Sequence, residues 1–154
     1  MLDRTDRAIV RHLMNDARQS NKELAATVGV APSTLSERVK RLRESRVFRG
    51  FHADVDPQVL GIGMEAMIAI RLRRHSASEV EDLKRHTRAM DEVVDLYHVT
   101  GANDFLVHVV VRDADHLRDL AVSGFTTLPE ISHIETSLVF EHIAKPVLPD
   151  LLDR

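Results

Sequence analysis

The chain has no cysteine among its 154 residues, which removes disulfide scaffolds, thiolate zinc sites, iron–sulfur clusters and cysteine nucleophiles together. Its apolar runs all stay under ten residues, too short for a helix that crosses a membrane. The opening Met1-Leu2-Asp3-Arg4 lacks the apolar segment of a signal peptide, so a cytoplasmic protein is expected. Aromatic residues are scarce at 4%, yet a hydrophobic share of 44% and a charged share of 29% are ordinary for a folded protein. Long disordered, collagen-like or mucin-like chains are thereby excluded. The length allows one ordinary domain or two small ones.

The small net charge of −3 hides an asymmetry. Residues 1–50 hold 11 Lys and Arg against 6 Asp and Glu, a balance of +5, whereas residues 51–154 hold 10 against 18, a balance of −8. Opposite signs in the two parts of so short a chain suggest two modules, the basic one meeting an anionic partner. Nucleic acid is the first candidate.

Apolar spacing in the basic part predicts three helices. Ile9, Val10, Leu13 and Met14 mark the first, between Asp3 and Ala17. Ser20-Asn21-Lys22-Glu23 has capping-box spacing ahead of a brief second helix stopped at Gly29, and Pro32 opens a third with Leu35, Val39 and Leu42 as its apolar stripe. A short second helix, a tight turn and a third helix form the pattern of a helix-turn-helix. With Leu35, Val39 and Leu42 turned inward, Ser33, Thr34, Ser36, Glu37, Lys40 and Arg41 lie outward or on the flanks, and Arg38 lies nearer the helix edge. Hydroxyls and long cations can reach base edges and phosphates in a major groove. A merely solvated basic helix is the plainer reading; the turn motif and the local charge outweigh it.

The period then changes from 3.6 to 2. Phe48–Val55 reads as an extended segment or small hairpin, giving a winged-helix-like end to a DNA-binding domain over residues 1–56, with a linker over 57–63. Beyond it the pattern reads strand (64–72), helix (capped from Ser76), strand (93–100), strand (105–111), helix (from Asp113 or Asp115) and strand (131–140). This is the βαββαβ order of a ferredoxin-like domain, over 64–142, so the fold class is α+β. Residues 143–154, with Pro146 and Pro149, read as an irregular arm that packs on a neighbour. Leu96, His98, Leu106, His108 and Val110 are assigned to one sheet face, and Val99, Val107, Val109 and Val111 to the other. Both sets are largely apolar, so a second copy is expected to cover the face that the helices leave open.

Sharper chemical signals fail. Gly61-Ile62-Gly63-Met64-Glu65-Ala66 fits G-x-G-x-x-A, but a strand follows where a dinucleotide fold needs a helix. His133 and Glu135 share a strand face without metalloenzyme spacing. No Ser/His/Asp order, catalytic carboxylate pair or phosphate-binding loop stands out, so neither enzymatic activity nor a metal or cofactor is expected.

Leu2-Asp3-Arg4-Thr5-Asp6-Arg7, Leu24-Ala25, Val28-Gly29-Val30, Pro32-Ser33-Thr34, Arg38-Val39 and Gly50-Phe51 resemble the DNA-binding half of the Lrp/AsnC transcriptional regulators. Leu60-Gly61, Val99-Thr100-Gly101, Asp104 and Leu128-Pro129 with Ile131 resemble the markers of that family's effector domain. The resemblance implies a sequence-specific regulator of double-stranded DNA that dimerises through its effector domains and can build tetramers or octamers. It further implies a small effector such as an amino acid, contacted by Thr100, Gly101, Asp104 and Thr136, whereas the residues alone favour a tight hairpin in which Gly101 supplies positive φ and Asp104 bonds the turn backbone. Departures are Ala31 for the usual serine cap, Arg46 for a helix-ending glycine, and Ala102-Asn103 for an acidic residue and an aromatic. Competing readings are a ligand-independent architectural DNA binder and a small enzyme of amino-acid metabolism.

Overall fold

The computed structural model describes residues 2–74 and 76–152. It separates into two compact units, Met1–Asp54 with Ile143–Arg154, and Val55–His142.

In the first unit, α1 (Arg4–Asn15) starts at the N-cap Asp3, and Asp3 with Asp6 forms a reciprocal capping box. The second helix, α2 (Asn21–Val28), is capped in the same way by Ser20 and Glu23, and it ends at Gly29 with φ +74°. That left-handed turn favours glycine and redirects the chain into α3 (Pro32–Glu44), whose N-cap Ala31 makes no side-chain bond. Ile9, Leu13, Leu24, Ala25, Leu35, Val39 and Leu42 form one core, with Val28, Val30 and Phe48 packed against it. Arg46 holds φ +56°, a conformation that costs a side-chain-bearing residue about 1–2 kcal/mol and that the family's glycine adopts freely.

Residues 48–55 are neither strand nor hairpin, contrary to the sequence expectation. The alternation there serves local packing: the Phe48 and Phe51 rings lie 5.4 Å apart and the Arg43 guanidinium stands 5.3 Å from the Phe51 ring centre. With no neighbouring strand in this unit among the described residues, the segment has no ladder to join.

The second unit is the expected βαββαβ: β1 (Met64–Leu72), α4 (Ala77–Arg88), β2 (Val93–His98), β3 (Phe105–Val111), α5 (Ala114–Ala121) and β4 (Ile131–Val139). A π turn follows α5 and leads to Leu128-Pro129. The antiparallel sheet has the order β2-β3-β1-β4. Ala66, Ile68, Ile70, Phe105, Val107, Val109 and Val111 point to the helices and meet Leu83, Leu117, Leu120 and Phe125 in the core. Leu96 and His98 belong to this face too, because they pair with Val107 and Phe105, and His98 stacks on Phe105 at 4.5 Å. This corrects the sequence assignment, which carried one parity through β2. A register shift between Val93 and Asp95 moves Asp95 and Tyr97, instead, to the open face beside His108 and Leu106.

Candidate DNA-reading helix and effector turn

The candidate recognition surface is built by what α3 buries. Leu35, Val39 and Leu42 are buried, and their spacing turns Ser33, Thr34, Ser36, Glu37, Lys40 and Arg41 into solvent. A shallow groove of about 460 Å3 runs along this face between Thr34, Glu37, Arg38, Lys40, Arg41 and Glu44. The Ser36 hydroxyl donates to the Pro32 carbonyl at 3.0 Å, and Lys40 stands 3.9 Å from Glu44. Among the described residues, Ser33 and Thr34 have no side-chain partner and Lys40 has only the distant Glu44.

Arg38 and Arg41 are engaged differently. The Asp6 carboxylate is buried, 2% exposed as a residue, and accepts from Arg38 Nη1 at 2.8 Å and from Arg41 Nη2 at 2.8 and 3.0 Å. Arg38 also donates to Asp3. The Arg38 guanidinium, followed by the Asp6 backbone N–H, holds the Asp3 carboxyl below its ordinary value, and donation to the Asp3 and then the Asp6 carboxylate raises Arg38. Arg38 is therefore primarily a brace between α1 and α3. Arg41, still 61% exposed in its side chain, combines that brace with a cation on the recognition surface. The sequence carried a signal for this: Asp6 lies three residues before Ile9 and seven before Leu13, on the buried stripe of α1.

In the second unit, Thr100, Gly101 and Asp104 come together in the turn between β2 and β3. Gly101 has φ +116°, which the turn requires and which favours glycine. Asp104 is tied to the sheet: its N–H donates to the Ile70 carbonyl at 2.9 Å, its carbonyl accepts from Val99 N–H at 2.9 Å, and its carboxylate accepts from Leu72 N–H at 2.7 Å. Arg71, which sequence reasoning missed, donates from both Nε and Nη2 to the Ala102 carbonyl and pins the turn from β1. Thr136 stands apart. It pairs with Ile68 on the far side of β1, two residues along and two strands across from Asp104's contact with Ile70, roughly 12 Å at ordinary sheet spacings.

The weaker motifs stay without chemistry. Gly61–Ala66 runs from a short 3-10 turn directly into β1. His133 and Glu135 lie exposed on the edge strand β4, and among the described residues no three His, Asp or Glu side chains are placed to hold a metal ion. No helix among the described residues is long and apolar enough to cross a membrane.

Comparison with known proteins identifies the two domains. Residues 2–43 match the model of the AsnC-type helix-turn-helix domain, and residues 65–147 match that of the Lrp/AsnC ligand binding domain. The chain belongs to the Lrp/AsnC family. Among curated Lrp/AsnC relatives, the HTH-type transcriptional regulator AldR of Mycolicibacterium smegmatis is 40% identical over 142 residues, covering 92% of this chain and 83% of that one. The regulatory protein AsnC of Escherichia coli is 31% identical, covering 92% of each chain. Among solved structures, E. coli AsnC superposes with a TM-score of 0.81 at 30% identity over 98% of both chains. A transcriptional regulator from Neisseria meningitidis complexed with L-Met superposes at 0.89, with 25% identity over 97% of both. The chain is thus an Lrp/AsnC transcriptional regulator with a DNA-binding helix-turn-helix domain and a ferredoxin-like ligand-binding domain. Its named relatives are regulators, not enzymes.

Proposed function

We propose that the protein is a cytoplasmic homodimer that reads two DNA half-sites with its α3 helices and responds to an amino acid held at the β2–β3 turn. The observation that carries the DNA reading is the exposure of Ser33, Thr34, Ser36, Glu37 and Lys40 on one side of α3, with its apolar stripe fully committed to the core. Ser33 and Thr34 lie in the first turn, placed for base edges, whereas Lys40 and Arg41 are placed for phosphates. If a dimer neutralises about six phosphates, log affinity falls against log salt with a slope near −5. Lys40→Ala removes one cation per subunit, so the expected slope is shallower by about 2, with affinity lowered for all sequences alike. Filter binding across a salt series measures this. An unchanged slope would place α3 away from the duplex.

The effector reading rests on the turn and on relatives whose structures hold L-methionine. An amino acid needs an acceptor for its ammonium and donors for its carboxylate. A carboxylate offers about four lone-pair sites, so Asp104 can keep the Leu72 amide and still accept from an ammonium. Backbone N–H groups around Gly101 supply donors, and Asn103 in place of an aromatic favours a polar or small effector. Thr136, at its distance within one chain, enters this site from a different subunit.

Two variants separate binding from scaffolding. Asp104→Ala orphans the Leu72 N–H and is expected to cost the effector domain about 1–3 kcal/mol. Asp104→Asn keeps a carbonyl acceptor for that N–H while removing the charge, so thermal stability is held and amino-acid binding by titration calorimetry falls at least about tenfold. Undiminished binding by Asp104→Asn would leave Asp104 a turn-stabilising residue only.

A further inference from the structure

The described chain beyond β4 has no regular structure, and from Ile143 onward it does not cluster with the effector unit from which it emerges. Residues 143–152 belong with the helix-turn-helix unit. There the chain crosses the outer face of α1. Asp150 Oδ2 stands 3.5 Å from Arg7 Nη1, with both side chains mostly covered at 29% and 23% exposure, and Asp150 Oδ1 accepts from Leu152 N–H at 3.1 Å. Around this pair, Leu148, Pro149 and Leu152 line a groove of about 470 Å3 whose opposite wall is Leu2, Val10 and Met14 of the α1 region. Leu2 and Val10 pack inward against the core of this unit as well.

We infer that the outer face of α1 is a docking surface whose partner is this chain's own C-terminal arm, seated by Leu148 and Leu152 and fixed by Asp150 on Arg7. The occupant is set by the chain itself. The arm leaves β4, reaches α1 through residues 148–152, and brings an acid to a rim carrying Arg4, Arg7 and Arg11. The chain thus passes between the two units twice, after Asp54 and after His142. The arm's contact falls on the helix whose Asp3 and Asp6 fix the two arginines of α3. Leu148 and Leu152 stay 64% and 72% exposed, so the arm forms one wall of the groove and leaves it open. A contact so incompletely buried releases easily, as a reversible strap must.

Hydrogen exchange on the intact protein tests this without any effector, and so independently of the amino-acid reading. Leu148→Ser/Leu152→Ser and Asp150→Arg are each expected to speed exchange of the α1 amides by about tenfold and to lower the melting of the helix-turn-helix unit, while amides of β1 and β3 stay protected. The charge swap Arg7→Asp/Asp150→Arg recovers part of the loss of Asp150→Arg. Unchanged α1 exchange in both arm variants would overturn the proposal. Protection of α1 that grows with protein concentration would overturn it too, since the arm would then come from a second copy.

Discussion

Asp6→Asn is expected to lower the stability of the helix-turn-helix unit by about 2–4 kcal/mol, a fall in its melting temperature on the order of 10–20 °C. Three donors converge on this one carboxylate: the Arg38 and Arg41 guanidinia and, at 3.4 Å, the N-cap Asp3 N–H. An amide in the same place turns its NH2 toward one guanidinium and loses the charge that both require. The Asp6 side chain is 3% exposed, but Arg38 at 25% and Arg41 at 61% keep some solvent, which holds the loss below that of a fully buried pair. Differential scanning calorimetry measures it, and a melting temperature within a degree or two of the original would remove Asp6 from the bracing role.

Asp3 adds a pH dependence of known sign. Its folded carboxyl titrates below the ordinary value of 3.8 because Arg38 and the Asp6 N–H favour the ion. Its contribution is present above that value and is lost as pH falls through the depressed folded one. Asp3→Asn therefore gives a flatter acid limb in the unfolding midpoint against pH.

Where local pattern and tertiary role coincided, the sequence was easily read. The Ser20/Glu23 box, Pro32 at the start of α3, and strands β1 and β3 all follow from spacings within a few residues, and the α3 stripe fixed the exposed face on which Ser33, Thr34 and Lys40 lie. What escaped it was long-range. Nothing near Asp6 in sequence announces two arginines more than thirty residues away, and nothing near Arg71 announces the Ala102 carbonyl. The faces of β2 were misassigned because one register shift inverts parity, and no spacing rule signals a shift in advance. The extended look of 48–55 failed for a related reason, since alternation describes a strand only where another strand is available to pair. The roles of Thr100, Gly101, Asp104 and Thr136 came from resemblance. The structure adds that Asp104 has a structural task which any ligand must share.

If two copies pair through their sheets as proposed, Val110→Asp is expected to leave the protein monomeric. Val110 lies toward one end of the open sheet face, opposite Glu65, with Met67, Leu106, Ala69 and Tyr97 farther along it, and among the described residues the helices of this unit pack on the other face. Three polar residues there are partnered within the chain, since His108 Nε2 lies 3.0 Å from Glu65 and Nδ1 lies 3.8 Å from Asp95, while His133, Glu135 and Ser137 lie exposed on the β4 side of the face. Such a face can be buried against a second copy without leaving the first three unsatisfied, which favours sheet-on-sheet pairing of identical surfaces. A carboxylate at 110 brings an unpaired charge into the interface at a cost of several kcal/mol. Within the chain it also stands opposite Glu65, its cross-strand neighbour. Val110→Lys separates the two effects. Lysine opposite Glu65 relieves the repulsion within the monomer while still bringing a charge to the interface, so it should dissociate the dimer and preserve the fold. Light scattering is expected to give half the wild-type mass for both variants, with the Lys form keeping the circular dichroism of the parent. Because two tethered half-site contacts multiply in affinity, both also lose operator binding by about a hundredfold or more. A Val110→Lys protein that stays dimeric would show that another surface joins the subunits.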